Sequence, residues 1–183
     1  THRLGASAIG ILSLTGSFMV LIGMISNGNA FLCISRLVSE EHGKSNGNPN
    51  KILLYGILMC AFLSVICGTF IFSFSERISM SFFRNNAMQK PIKLLAAALP
   101  IGAFSACFKG FFNAGRTVKI TAFADIIEFI VKAAVICIST LAVKNTADAS
   151  VCNIMVSGII AGNLTSLITL FIIFLKTHKV YKT

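Results

Sequence analysis

Residues 52–74 read ILLYGILMCAFLSVICGTFIFSF, a stretch without one charged side chain. Crossing a bilayer's hydrocarbon core takes about 20 apolar residues of helix, and this stretch supplies them. Its apolar positions form a block and do not alternate, which argues against a strand. Nor does it show the polar face that a surface helix of a water-soluble protein would need. Residues 8–35, 94–112, 120–143 and 151–175 repeat the pattern. The expected architecture is an all-α integral membrane protein. Its five spans would pack as one antiparallel transmembrane helix bundle covering residues 1–183.

The bulk composition agrees. The chain is 55% hydrophobic and 12% charged, about half the roughly 25% charge of a soluble domain. Its formal charge is +10, from 16 Lys and Arg against 6 Asp and Glu. A nucleic-acid binder displays such an excess on a water-soluble fold. Here the basic residues sit mainly between spans, where they set orientation and meet lipid headgroups, so nucleic acid is excluded as a partner and membrane lipid is expected. The connections, residues 39–51, 75–93, 113–119 and 144–150, are short, which makes successive spans neighbours.

One side of the bundle collects nine basic residues: Arg36, Lys44, Lys51, Lys109, Arg116, Lys119, Lys176, Lys179 and Lys182. The other collects six: Arg3, Arg77, Arg84, Lys90, Lys93 and Lys144. The excess places the 39–51 loop and the tail in the cytoplasm. Six cysteines without a CxxC pair, and three histidines outside the spans, favour small apolar packers over a metal site or disulfide framework. No metal or cofactor is expected. Thr1 is not Met and no signal-peptide pattern follows it, so a piece of a longer protein is expected.

Within the fourth span, Asp125, Glu128 and Lys132 are spaced to share one helix face, and Glu128 precedes Lys132 in the favoured ion-pair order. Charge at mid-membrane costs at least about 2.5 kcal/mol per residue, so these groups must face a partner helix or a wet cavity. A substrate or ion path is one reading; a self-neutralising pair that locks helix packing is the other. Asp125 is left without an evident partner. Pro100, in the third span, removes a backbone hydrogen bond and crowds the Ala96 carbonyl, which predicts a bend and a hinge. Small residues recur every four positions at Gly56, Cys60, Ser64 and Gly68, at Gly102, Ala106 and Gly110, and at Gly158 and Gly162, marking edges where helices approach closely. Ser26-Asn27-Gly28-Asn29 reads either as polar packing or as an unwound segment. Asn163-Leu164-Thr165 has the form of a glycosylation sequon but lies inside a span. There is no GxxxxGK[ST] phosphate loop and no HExxH, and Glu40-Glu41-His42 reads as a solvated charge cluster. No enzyme activity is expected.

Three strings carry a family resemblance. Phe31-Leu-Cys-Ile-Ser-Arg-Leu-Val-Ser-Glu40 resembles the end of the second membrane helix of polysaccharide exporters of the stage V sporulation protein B type. Residues 100–115, with Phe-Lys-Gly-Phe-Phe-Asn-Ala-Gly, resemble that family's fourth helix and its exit. Residues 121–132, with Ile-Ile-Glu-Phe-Ile-Val-Lys, resemble its fifth, where Glu is followed four residues later by a basic residue. The strings fall in family order over nearly the whole chain. Lys109 and Lys132 stand where the family has Arg, and Asn113 where it has Gln, which keeps charge but not bidentate phosphate geometry.

The resemblance implies the multidrug/oligosaccharidyl-lipid/polysaccharide flippase superfamily, whose fold is two six-helix lobes around a central cavity. The chain would supply helices two to six of the N-terminal lobe, and its partners would be the remaining lobe and a lipid-linked oligosaccharide. The implied function is a bacterial plasma-membrane flippase for a polyprenyl-pyrophosphate-linked oligosaccharide or peptidoglycan precursor, working by alternating access. Lys132, Arg36 and Lys109 would then attract the pyrophosphate, with Asp125 and Glu128 tuning them or coupling an ion. A cation-coupled multidrug exporter and a non-transporting scaffold are the rival readings.

Overall fold

The computed structural model describes residues 6–27, 29–44, 47–83, 88–142 and 148–180, and every regular element among them is helical. Helices α1 (Ala6–Asn27) and α2 (Ala30–His42) are followed by α3 (Pro49–Ser73), and a short α4 (Ser75–Ile78) runs into a π-helical turn, Ser79–Phe83. The remainder is α5 (Gln89–Ala114), α6 (Val118–Ala142) and α7 (Asp148–Val180). Four helical stretches are long and apolar enough to cross a membrane: Ser13–His42, Pro49–Ser73, Gln89–Ala114 and Cys152–Lys176. Helix α6 has the length, at 25 residues. It carries Lys119, Asp125, Glu128 and Lys132, however, and length with composition supports four of the five expected spans.

Several boundaries move outward from their expected places. The first span continues to His42, beyond residue 35, because α2 restarts at once after the break. The 75–93 connection is largely helical, and α5 begins at Gln89, drawing Lys90 into its first turn and Lys93 to the start of its second. Pro91 fits there because the first turn's N–H groups have no intrahelical partner. Pro49 opens α3 for the same reason.

Asn29 separates α1 from α2 with φ 56° and ψ 33°, the left-handed conformation that Asn tolerates better than most residues. Its carbonyl accepts from the Leu32 and Cys33 N–H groups and so starts α2. The helical path is therefore broken at Asn29, while Ser26 and Asn27 still belong to α1 and Gly28 lies outside the described residues. Among the described residues the buried Ser26 hydroxyl finds no partner.

Helix α5 is the axis. Of its membrane-length stretch 56% is buried, against 18% for α1–α2 and 22% for α3 and α7. It contributes to all three apolar clusters, through Cys107 and Phe108 at one end, Ile92 and Leu99 at the other, and Leu95 against Met19 and Val156. Leu54, Met59, Phe62 and Phe70 of α3 and Ile126 and Ile130 of α6 remain exposed, as lipid-facing side chains do.

The small-residue ridges are where helices meet. A Cβ on Gly110 would sit 2.7 Å from the Phe31 carbonyl oxygen, so only glycine lets α2 lie this close to α5. A Cβ on Gly68 would sit 3.2 Å from the Ala96 carbonyl oxygen. That carbonyl is the one Pro100 leaves without its helical donor. Helix α5 runs unbroken through Pro100 from Gln89 to Ala114, and α3 supplies a glycine edge against the freed oxygen.

Candidate functional site

Helices α5 and α6 are joined by a tight turn over residues 115–117. The Gly115 N–H bonds to the Phe111 carbonyl, Arg116 adopts φ 57°, and the Thr117 N–H and hydroxyl both donate to the Phe112 carbonyl, at 3.2 and 2.7 Å. A turn this short makes residues at similar distances on either side of it face one another. Lys109 lies seven residues before Arg116 and Asp125 nine after it, and they meet.

The Lys109 ammonium donates to Asp125 Oδ1 and to Glu128 Oε2, both at 2.7 Å. The Lys132 ammonium stands 3.5 Å from Glu128 Oε1. Four charges, two of each sign, thus form a chain from Lys132 through Glu128 and Lys109 to Asp125. Asp125 is paired with Lys109 across the helix boundary, which corrects the expectation that it stands alone.

The four side chains are not equally held. Glu128 is 14% exposed and Lys109 19%, whereas Lys132 is 33% and Asp125 56% exposed. Glu128 and Lys109 form the inner joint; Asp125 and Lys132 are its outer ends. Phe129, between them on the same face of α6, is exposed too. Lys132 is the looser cation, held by one long contact within its own helix. Lys109 meets an incoming anion only by giving up the half-exposed Asp125.

The third wall is α7. A Cβ on Gly162 would lie 3.2 Å from both the Glu128 carbonyl oxygen and its Cγ, and 3.3 Å from Lys132 Cε. Gly158 leaves room for Ile136 in the same way. Gly162 was read as part of a packing ridge, yet its missing side chain is what admits both Glu128 and Lys132. A polar seam continues between α5 and α7, where Asn163 faces Gly102 and the Ser105 hydroxyl donates to Ser166 at 3.2 Å.

Arg36 is not brought to this quartet. Its side chain is 84% exposed and pairs with Glu40 on its own helix at 3.2 Å. Its neighbour Ser35 accepts a hydrogen bond from Asn113 at 3.3 Å, so Arg36 lies near the α5 exit, about one turn beyond Lys109. The charges around it are local: Lys44 pairs with Glu41 at 2.8 Å, and His42 Nδ1 lies 2.9 Å from the Val38 carbonyl oxygen. The Glu41 carboxylate holds the Lys44 ammonium above the ordinary lysine range. Among the described residues no group of three His, Cys, Asp or Glu side chains has the geometry of a metal site.

Four apolar helical stretches of membrane length, one of which holds a self-neutralised charge chain against α6, define a multi-pass membrane protein. The chain matches the family model described as "Polysaccharide biosynthesis protein" over residues 1–183, and it belongs to that family, whose setting is the plasma membrane. It is 22% identical over 183 residues to the stage V sporulation protein B of Bacillus subtilis (strain 168), an alignment covering 98% of this chain. The chain spans 35% of that relative's length. No solved structure matches it.

Proposed function

We propose that the chain is part of the N-terminal lobe of a transporter, not an enzyme, that flips a polyprenyl-pyrophosphate-linked oligosaccharide or peptidoglycan precursor by alternating access. Its spans would be five, packed antiparallel, with α6 as the one that carries charge because it lines the path. The observation that carries this reading is the quartet itself. Lys132 and Asp125 are kept partly exposed on one face of α6, while the inner joint of Lys109 and Glu128 holds that face in place. A pyrophosphate arriving from the rest of the protein meets Lys132 first, since displacing one contact of 3.5 Å costs little. It then reaches Lys109 in exchange for Asp125. Lysine suits such an exchange, because its ammonium is a point charge with rotatable donors and does not demand a fixed fork geometry. Arg36 would serve only as an outer attractor, and Pro100 as a hinge between the ends of α5.

The internal neutralisation favours a second reading, in which the quartet is a staple between α5, α6 and α7 in a scaffold subunit. The multidrug-exporter reading is weaker, because two ammonium groups cancel the negative field that a cationic drug would need. Reconstituted full-length protein and a lipid-linked oligosaccharide separate these readings. Under the flippase reading Lys132→Ala abolishes most transport while the protein stays folded. Unchanged transport in that variant would leave the staple.

A further inference from the structure

Helix α5 has a second cationic place, at the end opposite the quartet. Lys90 sits in its first turn, where the helix dipole is already positive, and Lys93 opens the second turn, close by along the helix. Among the described residues no ion pair joins either of them to a carboxylate. Lys93 has a cation–π contact instead, its ammonium 5.4 Å from the centre of the Phe72 ring. Two neighbouring cations repel one another, and Lys90 also opposes the positive helix end; an anion placed between them relieves both repulsions.

The space for one is present. Lys90, Lys93 and Asn153 border an open cavity of about 620 Å³ between the N-terminal parts of α5 and α7. Ser157 also lines it, but its hydroxyl donates to the Ile154 carbonyl at 2.8 Å, so the donors available to an anion are the two ammonium groups and the Asn153 amide. The rest of the wall, Leu94, Ala97 and Ile154, is apolar. A second cavity of about 330 Å³ shares Lys93 and Ala97 with the first. It runs between α3 and α5 past Phe72 and Gly68 to Pro100, about 10 Å along the helix at 1.5 Å per residue. One anionic end and one apolar groove meet at Lys93.

Depth in the membrane agrees with this shape. Lys93 and Lys109 are 16 residues apart on one helix, about 24 Å, close to the thickness of the hydrocarbon core. The Lys90–Lys93 end therefore reaches headgroup level. We infer that this place binds the phosphate of an anionic membrane phospholipid, with an acyl chain laid in the groove between α3 and α5. A free phosphate would use the lysines and leave the groove unexplained. A zwitterionic lipid would bring its own cation to a site that already has two. The inference does not depend on the transported cargo.

The test is native mass spectrometry of the purified full-length protein with phosphatidylglycerol, uncharged diacylglycerol or inorganic phosphate. A juxtamembrane lysine contributes roughly a fivefold change in affinity for an anionic surface, so K90Q/K93Q should weaken phosphatidylglycerol binding about 25-fold. K51Q/K119Q, at the other end of the bundle, should leave it unchanged. Ala97→Phe, which closes the shared wall without altering charge, should also weaken it. Equal phosphatidylglycerol retention by wild type and K90Q/K93Q overturns the site. Displacement of the lipid by equimolar inorganic phosphate makes free phosphate the ligand, and diacylglycerol binding as tightly removes the role of the lysines; either result overturns the proposal.

Discussion

Lys109 and Lys132 belong to one charge chain but should fail differently when removed. Lys109 makes two contacts of 2.7 Å. The one to Glu128, at 14% exposure, is worth about 2–3 kcal/mol as a charge-assisted hydrogen bond. The one to Asp125 is discounted to about 0.5 kcal/mol because that carboxylate is more than half exposed. Lys109→Ala should therefore destabilise by about 3 kcal/mol, and it leaves Asp125 and Glu128 as neighbouring like charges. Lys132 makes one contact, at 3.5 Å, within a helix turn, which is worth about 0.3–0.5 kcal/mol. For a domain of this size each kcal/mol shifts Tm by about 2–4 °C. Thermal unfolding of full-length protein in a neutral detergent should then show a fall of about 6–12 °C for Lys109→Ala and about 1–2 °C for Lys132→Ala. Lys109→Met with Glu128→Met, which removes one charge of each sign, should recover most of the loss. If Lys132→Ala costs as much as Lys109→Ala, the division into an inner joint and a loose outer cation is wrong.

Three other outcomes follow from the same geometry. Gly110→Ala should cost about 2–3 kcal/mol by forcing the α2 backbone away. Gly23→Ala, where an added Cβ meets nothing within 4 Å, should be neutral or gain up to about 1 kcal/mol; both are read by Tm, and equal losses would refute the ridge. Arg116→Gly relieves a left-handed residue at the α5–α6 turn and should stabilise by about 1 kcal/mol, read as a rise in Tm; a fall in Tm would refute the relief. Pro100→Ala restores a donor to the Ala96 carbonyl, and under the hinge proposal it slows transport without lowering Tm; an unchanged transport rate removes the hinge.

The membrane class was legible because it depends on composition over long stretches, and residues 52–74 alone carry it. Span ends were less legible. Lys90 and Lys93 resemble loop residues in any window average, yet the helix accepts them because Pro91 and the following apolar residues fix its first turn. The site was half legible. The spacing of Asp125, Glu128 and Lys132 is a property of one helix, and it is found as read. The pairing of Asp125 with Lys109 depends on the register of two helices about the turn at residues 115–117. Counting outward from that turn would have found it. Gly162 had no such signal, since its role is to be absent where Glu128 and Lys132 lie. Arg36 matched a family string but faces away, paired with Glu40, because α2 packs on α5 through Ala30, Ile34 and Val38 and turns Arg36 outward.

Helix α5 carries cations near both ends and a proline between them. Lys93 lies seven residues before Pro100 and Lys109 nine after it, about 10 and 14 Å along the axis. The N-terminal arm is tied to α3 at Gly68 and Phe72, and the C-terminal arm to α2 at Gly110 and to α6 at Glu128. Bending at Pro100 would move these two sets of contacts against each other, and it would have to be taken up by α3 and α7, which pack along both arms. Leu53 and Cys60 of α3 cluster with Cys107, and α7 meets Leu95 through Val156 and Ser105 through Ser166. An anion held at Lys90 and Lys93 bears on one arm, and an anion that displaces Asp125 bears on the other. The angle at Pro100 then couples the two sites. This coupling requires that Pro100→Ala leave lipid binding at Lys90 and Lys93 intact while changing how that lipid affects transport.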